Sequence, residues 1–408
     1  MRRTIILFFI ALALVAVIAL FAFFLSPQNG GESGAGAGGG NIFGNLFPFG
    51  DESAGTTLPP GGEAESADTR PVPALRRVTE KPASGGYVYQ NGVGETMIRY
   101  IERETGHLFQ TPAEGRGVVR ISNTTIPGIQ EVLFAHENGF IIRYLNEDGG
   151  IENFYASLKA GAEDQTIGGK FLDSWERGNI DAIGKNLLTV AETPSGSSVI
   201  VSGVDGTNKR TVLVSPIRSW VPLQSDTNMY VYSAPAAGVS GSLYQISNNA
   251  LRKVAGDIAG MVALVSPSGR YVLASGGESD VSLFLFDTQN GQRYESPVAT
   301  LAVKCVFVKE APVKVACGVP NTFPAGEYPN DWLLGRVQFD DDLWLIEPTN
   351  GVATLVALPF EDTGYHLDVW QPVADKTGSY VGFIDKNNLS FWSLRLEKPA
   401  AKSGTESE

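Results

Sequence analysis

Histidine and cysteine, the residues that most often carry catalysis or bind metals, are scarce in this chain. Its 408 residues include three histidines, which are far apart (His107, His136 and His366), and only two cysteines. The sequence contains no His-Glu-x-x-His, no Gly-x-Ser-x-Gly and no phosphate-binding loop. We therefore expect no metal and no cofactor. A catalytic triad assembled from residues distant in sequence stays an open alternative.

Charge is also sparse, and it is predominantly acidic. Charged residues make up 18% of the sequence, the formal net charge is −13 and the isoelectric point is near 4.8. A surface of this sign repels the phosphates of nucleic acids, so we expect no nucleic-acid partner.

The segment Thr4–Leu25 contains no charged residue, and it is long enough to cross a bilayer as one helix. Arg2 and Arg3 precede it, which predicts a cytoplasmic N-terminus and an extracytoplasmic C-terminal domain. A cleaved secretory signal is the alternative, but the segment is longer than such signals and ends in bulky residues. No cysteine at its end could accept a lipid. We predict a single-pass cell-membrane protein whose N-terminal helix is its contact with the membrane.

Composition divides the rest of the chain. Residues 1–25 form the predicted cytoplasmic stub and anchor, and residues 26–74 a flexible linker rich in Gly, Ser and Pro. Residues 75–398 form the predicted folded domain, and residues 399–408 a disordered tail.

The folded domain reads as many short strands. Runs such as Val281–Phe286 and Leu343–Ile346 are β-branched or aromatic and are bounded by Gly, Pro, Asn and Asp, with no long helical periodicity beside them. Polar turns ending in Gly recur, at Gly106, Gly149, Gly291 and Gly351. The pattern predicts an all-β chain built from four-stranded units.

Seven such units can be laid out, at about 84–126, 127–175, 176–215, 216–256, 257–298, 299–360 and 361–397. The second and third units are poorly marked, so six and eight units stay open. The last unit shows only three convincing strands, and Ala74–Glu80 is a spare strand that could complete it and close the ring. We predict a seven-bladed β-propeller behind one N-terminal transmembrane helix.

The stretch Ser266–Ala274 resembles the Ser-Pro-Asp-Gly hallmark of bacterial WD-repeat-like propellers, with Ser268 in place of the usual Asp. Asp375–Gly382 is a weaker copy, and the Trp-Asp ending of strict WD repeats is absent. The resemblance implies the propeller fold and a membrane-anchored bacterial protein of uncharacterised role.

Cys305 and Cys317 flank a predicted hairpin centred on Ala311, which would place the two residues opposite each other. An exported compartment permits a disulfide between them. Two reduced, buried thiols are the alternative.

The longest insertion within a unit runs from Val319 to Asp340. Loops at a propeller rim are where binding usually resides, so Tyr328, Asp331 and Trp332 are candidate ligand-binding residues. The alternative for Trp332 is that it packs the loop onto its own blade. Next to this insertion, Asp340, Asp341 and Asp342 read as solvated turn residues, because three consecutive carboxylates point in different directions and cannot form a calcium cage.

From the sequence we expect a scaffold at the cell envelope that binds a protein, an envelope polymer or another ligand. The competing hypothesis is a cell-envelope hydrolase with its site in the propeller channel.

Overall fold

The computed structural model describes residues 72–158, 166–278 and 280–396. Within these ranges, no helix combines the length and the apolar character that a membrane crossing requires. The predicted anchor Thr4–Leu25, the linker up to residue 71 and the tail 399–408 lie outside the described residues.

The described chain folds into seven antiparallel sheets of four strands each, which are the blades of a propeller. Blades 1 to 3 comprise β2 (Ala83–Gln90), β3 (Thr96–Glu102), β4 (Leu108–Pro112) and β5 (Val119–Arg120); β6 (Ile129–His136), β7 (Gly139–Leu145), β8 (Ile151–Leu158) and β9 (Ile167–Phe171); and β10 (Arg177–Ile180), β11 (Asn186–Thr193), β12 (Gly196–Gly203) and β13 (Arg210–Ser215). Blades 4 and 5 comprise β14 (Trp220–Gln224), β15 (Met229–Ser233), β16 (Ser240–Ser247) and β17 (Ala250–Ala259); and β18 (Val262–Val265), β19 (Tyr271–Gly276), β20 (Ser282–Asp287) and β21 (Arg293–Glu295). Blades 6 and 7 comprise β22 (Cys305–Glu310), β23 (Val313–Pro320), β24 (Asp341–Glu347) and β25 (Val352–Ala357); and β26 (Val369–Ala374), β27 (Tyr380–Asp385), β28 (Phe391–Arg395) and β1 (Leu75–Arg77).

Helices in the described residues are short. They are the 3-10 turns Ala302–Lys304 and Pro348–Asn350 and the α-helical turns Asn330–Leu333 and Pro359–Thr363. The predicted all-β class and seven blades are therefore confirmed, and the observed blades follow the predicted units to within a few residues.

The first strand of each blade is the innermost. First strands of neighbouring blades contact one another, as β2 does β6 and β10 does β14. Because the strands alternate in direction, the first and third connections of every blade lie on one rim of the ring, and the second connections and the links between blades lie on the other. We call these the first rim and the second rim.

A polar side chain follows or ends the first strand in six blades, and it accepts a hydrogen bond from a backbone N–H two to five residues later. The residues are Asn91, His136, Asp181, Ser225, Ser266 and Asp375. This bond folds the chain back locally and starts the second strand. Ser266 and Asp375 open the two stretches that resemble the WD-like hallmark, whose glycines Gly269 and Gly378 have φ of 77° and 71°.

The recurrent Gly turns occupy two positions in the blade rather than one. Gly291 and Gly351 lie in third connections, whereas Gly106 and Gly149 lie in second connections. All four have positive φ, between 64° and 77°. Both positions are antiparallel hairpins with the same backbone requirement, so the turn sequence alone does not distinguish them.

The ring closes through β1, which lies within the spare strand predicted at Ala74–Glu80. β1 pairs antiparallel with β28, with Leu75 opposite Leu394 and Arg77 opposite Trp392. Leu75 is 3% exposed and belongs to the apolar cluster between blades 6 and 7. The first described strand of the chain thus forms the outer edge of the last blade.

Leu75→Ala tests the contribution of this closure. We expect a loss of about 2 to 4 kcal/mol in the free energy of unfolding, because the substitution leaves a cavity in the cluster. Val352→Ala, on the exposed outer strand of blade 6, is the matched control and should change stability by less than about 0.5 kcal/mol. Chemical denaturation followed by circular dichroism measures both. Equal, small effects would show that β1 contributes little to holding the ring.

Candidate functional site

The predicted insertion is a loop on the second rim that joins β23 to β24 in blade 6. We call residues Asn321–Asp340 the cap loop. It reaches blade 4, where the backbone N–H of Ala237 donates to Asn330 Oδ1 at 2.9 Å. It reaches blade 7, where Lys386 Nζ donates to the carbonyl of Trp332 at 2.6 Å. The cap loop is therefore fixed to blades on both sides of its own.

Aromatic side chains pack the cap loop onto the blades. Phe323, Tyr328, Trp332 and Phe339 of the loop cluster with Trp370 of β26. The Trp332 ring stacks on Phe339 with centroids 5.9 Å apart and meets Trp370 edge-on at 5.4 Å. Trp332 is 0% exposed. Burial of several large rings gives this loop a core of its own.

A buried ionic cluster lies directly beneath these rings. Lys304 Nζ is 2.7 Å from Asp341 Oδ2 and also pairs with Asp368, and all three side chains are fully buried. Asp368 accepts the Trp332 Nε1–H at 2.9 Å and the Phe339 N–H at 3.1 Å. Asp368 is thus the point at which the cap loop and the ionic cluster meet.

One lysine faces two buried carboxylates here, so the cluster has an excess of negative charge when both are ionised. Burial raises the pKa of Asp341 to about 7; Lys304 opposes the rise and the charge of Asp368 adds to it. A proton taken up by Asp341 balances the cluster, which is the expected response of a carboxyl group removed from water.

The prediction of solvated residues at Asp340–Asp342 is wrong for Asp341, which is 0% exposed. Its neighbour Asp340 points outward and pairs with His366 Nδ1 at 2.8 Å. The error has a physical cause: the compensating Lys304 lies on another connection, and no local pattern in the acidic run indicates it.

The three candidate ligand residues of the cap loop lie close together but in different environments. Tyr328 is half-buried, and Asp331 accepts from the Glu327 N–H at 2.8 Å and pairs with Arg336 at 3.1 Å. The Glu327 bond first, and then Arg336, hold the pKa of Asp331 below its usual value. Trp332 is the anchor of the loop, as the packing alternative states. Ligand binding by these residues stays a prediction.

The cap loop exposes two leucines beside its polar residues. Leu333 is 37% and Leu334 63% exposed, and both belong to or follow the helical turn that Trp332 anchors. Val239 of blade 4, 59% exposed, lies two residues beyond the Ala237 contact. Sequence reasoning missed these leucines, because a Leu pair beside a Trp reads as core.

Cys305 and Cys317 lie directly opposite each other on β22 and β23, in the register expected from the hairpin. Their sulfur atoms are bonded as a disulfide. The pair lies inside the apolar cluster between blades 5 and 6. No group of three His, Cys, Asp or Glu residues within the described ranges is arranged to hold a metal ion.

Comparison with known proteins gives matches among solved structures only. No protein-family profile and no curated protein sequence matches the chain. The oligogalacturonate lyase of Vibrio parahaemolyticus superposes with a TM-score of 0.53 at 10% identity, covering 79% of this chain and 94% of that one. The chain is a β-propeller.

Two further solved structures match most of the chain. The Pan2 WD40 domain of Neurospora crassa has a TM-score of 0.48 at 12% identity, covering 81% of this chain and 97% of that one. TolB of Acinetobacter baumannii has a TM-score of 0.40 at 9% identity, covering 77% and 79%. At these identities the likeness concerns the fold alone.

The raised pKa of Asp341 gives a pH test. An acid whose pKa is raised in the folded state stabilises the fold fully below its unfolded pKa of about 4, and this contribution is lost as pH rises through about 7. We therefore expect the stability of the wild type to decline between about pH 4 and 7 relative to that of Asp341→Asn, which cannot ionise. Denaturation of both proteins across this range measures the difference. Asp148→Asn, in an exposed turn of blade 2, is the control; parallel profiles for wild type and Asp341→Asn would contradict the assignment.

Proposed function

We propose that this chain is a single-pass membrane protein whose extracytoplasmic propeller is a binding scaffold at the cell envelope. The charge-free segment Thr4–Leu25 and the preceding Arg2 and Arg3 support the anchor and its orientation. The disulfide between Cys305 and Cys317 is consistent with an oxidising compartment. The WD-like stretches support a bacterial origin.

The observation that carries the binding role is the cap loop. The loop is held by a buried tryptophan, by the ionic cluster and by contacts to two other blades. These contacts hold Leu333, Leu334 and Val239 at the surface in a fixed arrangement. Apolar side chains presented by a rigid loop favour a protein partner, because little ordering entropy is lost on association.

The hydrolase alternative has no comparable support among the described residues. His107 contacts Thr125, His136 accepts a hydrogen bond from its own turn, and His366 pairs with Asp340 on the second rim. One structural neighbour is named a lyase, but at 10% identity its chemistry does not transfer to this chain.

The double variant Leu333→Ser/Leu334→Ser tests the cap surface. Tagged full-length protein is purified from gently solubilised membranes, and co-purifying proteins are quantified by mass spectrometry. We expect a stoichiometric partner of the wild type to fall roughly fivefold or more in the variant, because the apolar contact is lost. Val352→Ser/Leu355→Ser, exposed on the outer strand of the same blade, should leave recovery unchanged. Equal recovery of the partner with both variants, or a wild type that purifies without a partner, would contradict the proposal.

The predicted topology is tested separately in bacterial cells. Alkaline phosphatase fused after Glu408 should be active and green fluorescent protein at the same position dark, because the C-terminus lies outside the cytoplasm. The intact mass of the membrane-extracted chain should include residues 1–25. A mass lacking them would identify a cleaved signal, and an active fluorescent fusion would contradict export.

A further inference from the structure

A groove of about 680 Å³ lies on the first rim, opposite the cap loop, between blades 3 and 4. Its walls are the first and third connections of blade 3, the first connection of blade 4 and Tyr155 of β8. We call it the blade 3–4 groove. Its volume is within the range of sites that hold small ligands.

Hydrogen bonds within blade 3 and between blades 3 and 4 fix the walls. Asp181 is buried and accepts from the Lys185 N–H at 2.7 Å and from Asn186 Nδ2 at 2.6 Å. Gln224 of blade 4 donates through Nε2 to the Asn179 carbonyl at 2.6 Å, and its N–H donates to Asn179 Oδ1 at 2.8 Å. The groove is thus pre-organised without a ligand, which lowers the cost of binding.

Two cations in the lining have no ion-pair partner within the described residues. They are Lys185 and Arg210, both exposed. By contrast, Lys170 beside the groove pairs with Asp205 at 3.3 Å. Because Asp205 pairs with Lys170, these two cations outnumber the other carboxyl group of the lining, Asp226, which gives the lining a local excess of positive charge on a protein with a net charge of −13. It favours an anionic ligand at this place.

The rest of the lining is mainly amides and hydroxyls. Some of these groups already donate within the walls, as Asn186 Nδ2 and Gln224 Nε2 do, and their side-chain oxygens still face the groove together with the Asn208 amide. Such a set suits a ligand with many hydroxyl groups. Tyr155 adds one aromatic ring at the groove wall.

Two carboxyl groups also line the groove: Asp205, which pairs with Lys170, and Asp226. Burial, and then the charges of Asp181 and Glu310, raise the pKa of Asp226. A carboxylate accepts hydrogen bonds from ligand hydroxyls, whereas it would repel a ligand that is anionic along its whole length. The ligand should therefore alternate acidic groups with hydroxyls.

A peptide fits this lining less well. Peptide grooves use a free strand edge or apolar pockets. The edge strands β13 and β14 contribute one lining residue each, Arg210 and Gln224, and Val201, Val204 and Met229 are the apolar residues of the lining.

We propose that the blade 3–4 groove binds an acidic oligosaccharide, with Lys185 and Arg210 contacting its carboxylates, and with the Asn208 amide and the side-chain oxygens of Asn186 and Gln224 contacting its hydroxyls. This names a ligand class for the proposed scaffold. It does not depend on a protein partner at the cap loop, because the two surfaces lie on opposite rims.

Calorimetric titration of the full-length chain in detergent tests the groove. The probes are tetrasaccharides of galacturonate, glucuronate and guluronate, a carboxyl-reduced neutral counterpart of each, and tetraglutamate as an acidic peptide. We expect at least one uronate to bind, with its neutral counterpart and tetraglutamate roughly tenfold or more weaker. Binding should weaken as salt is added.

Lys185→Gln/Arg210→Gln should lose roughly tenfold or more in affinity for that uronate. Lys376→Gln, an exposed lysine in the first connection of blade 7 on the same rim, is the matched control and should bind within about twofold of wild type. Thermal melts by circular dichroism check that both variants are folded. The proposal is overturned if no uronate binds at millimolar concentration, if the double variant binds like wild type, or if tetraglutamate binds as tightly. If no protein partner is recovered through the cap loop but the groove binds a uronate, only the protein-docking role is refuted.

Discussion

Ring closure is the constraint on which the rest of this structure depends. Each blade buries its faces against two neighbours, so a gap anywhere exposes two sheets to water. The C-terminal part of the chain supplies only three strands of blade 7, and Leu75–Arg77 provides the fourth. Leu75 enters an apolar cluster that also contains Leu343 of blade 6. The seven blades form a closed ring, with complete rims, only when the first and last strands of the domain pair.

The buried ionic cluster plays a comparable part for the cap loop. Taking Lys304, Asp341 and Asp368 out of water is costly, and apolar residues of similar size would often serve stability as well. The charged groups add directional hydrogen bonds. Asp368 accepts from Trp332 Nε1 and the Phe339 N–H, so the loop has one favoured position on the blades. A loop seated in this way presents its exposed leucines as a fixed surface.

Local sequence signals were sufficient for the fold and insufficient for the sites. The blade limits followed from short strands and Gly turns, and the Cys305–Cys317 register followed from hairpin symmetry, because each depends on residues near one another in the chain. The Lys304–Asp368 pair joins residues 64 positions apart, and Gln224 reaches Asn179 across 45 positions. Such partners come together only through blade packing, which no local periodicity encodes. For the same reason the sequence does not indicate that Asp341 is buried, and it does not indicate the blade 3–4 groove, which is built from three separate connections.

The pairing of β1 with β28 also determines how the domain carries a mechanical load. Three residue pairs hold β1 at the outer edge of blade 7, and Leu75 is the first of them. If the chain preceding residue 72 is tethered to a membrane and a partner pulls on the domain, tension enters the fold through this short strand. The ring would then open first where β1 pairs with β28, so the strand that completes the propeller would also determine the force at which the ring opens.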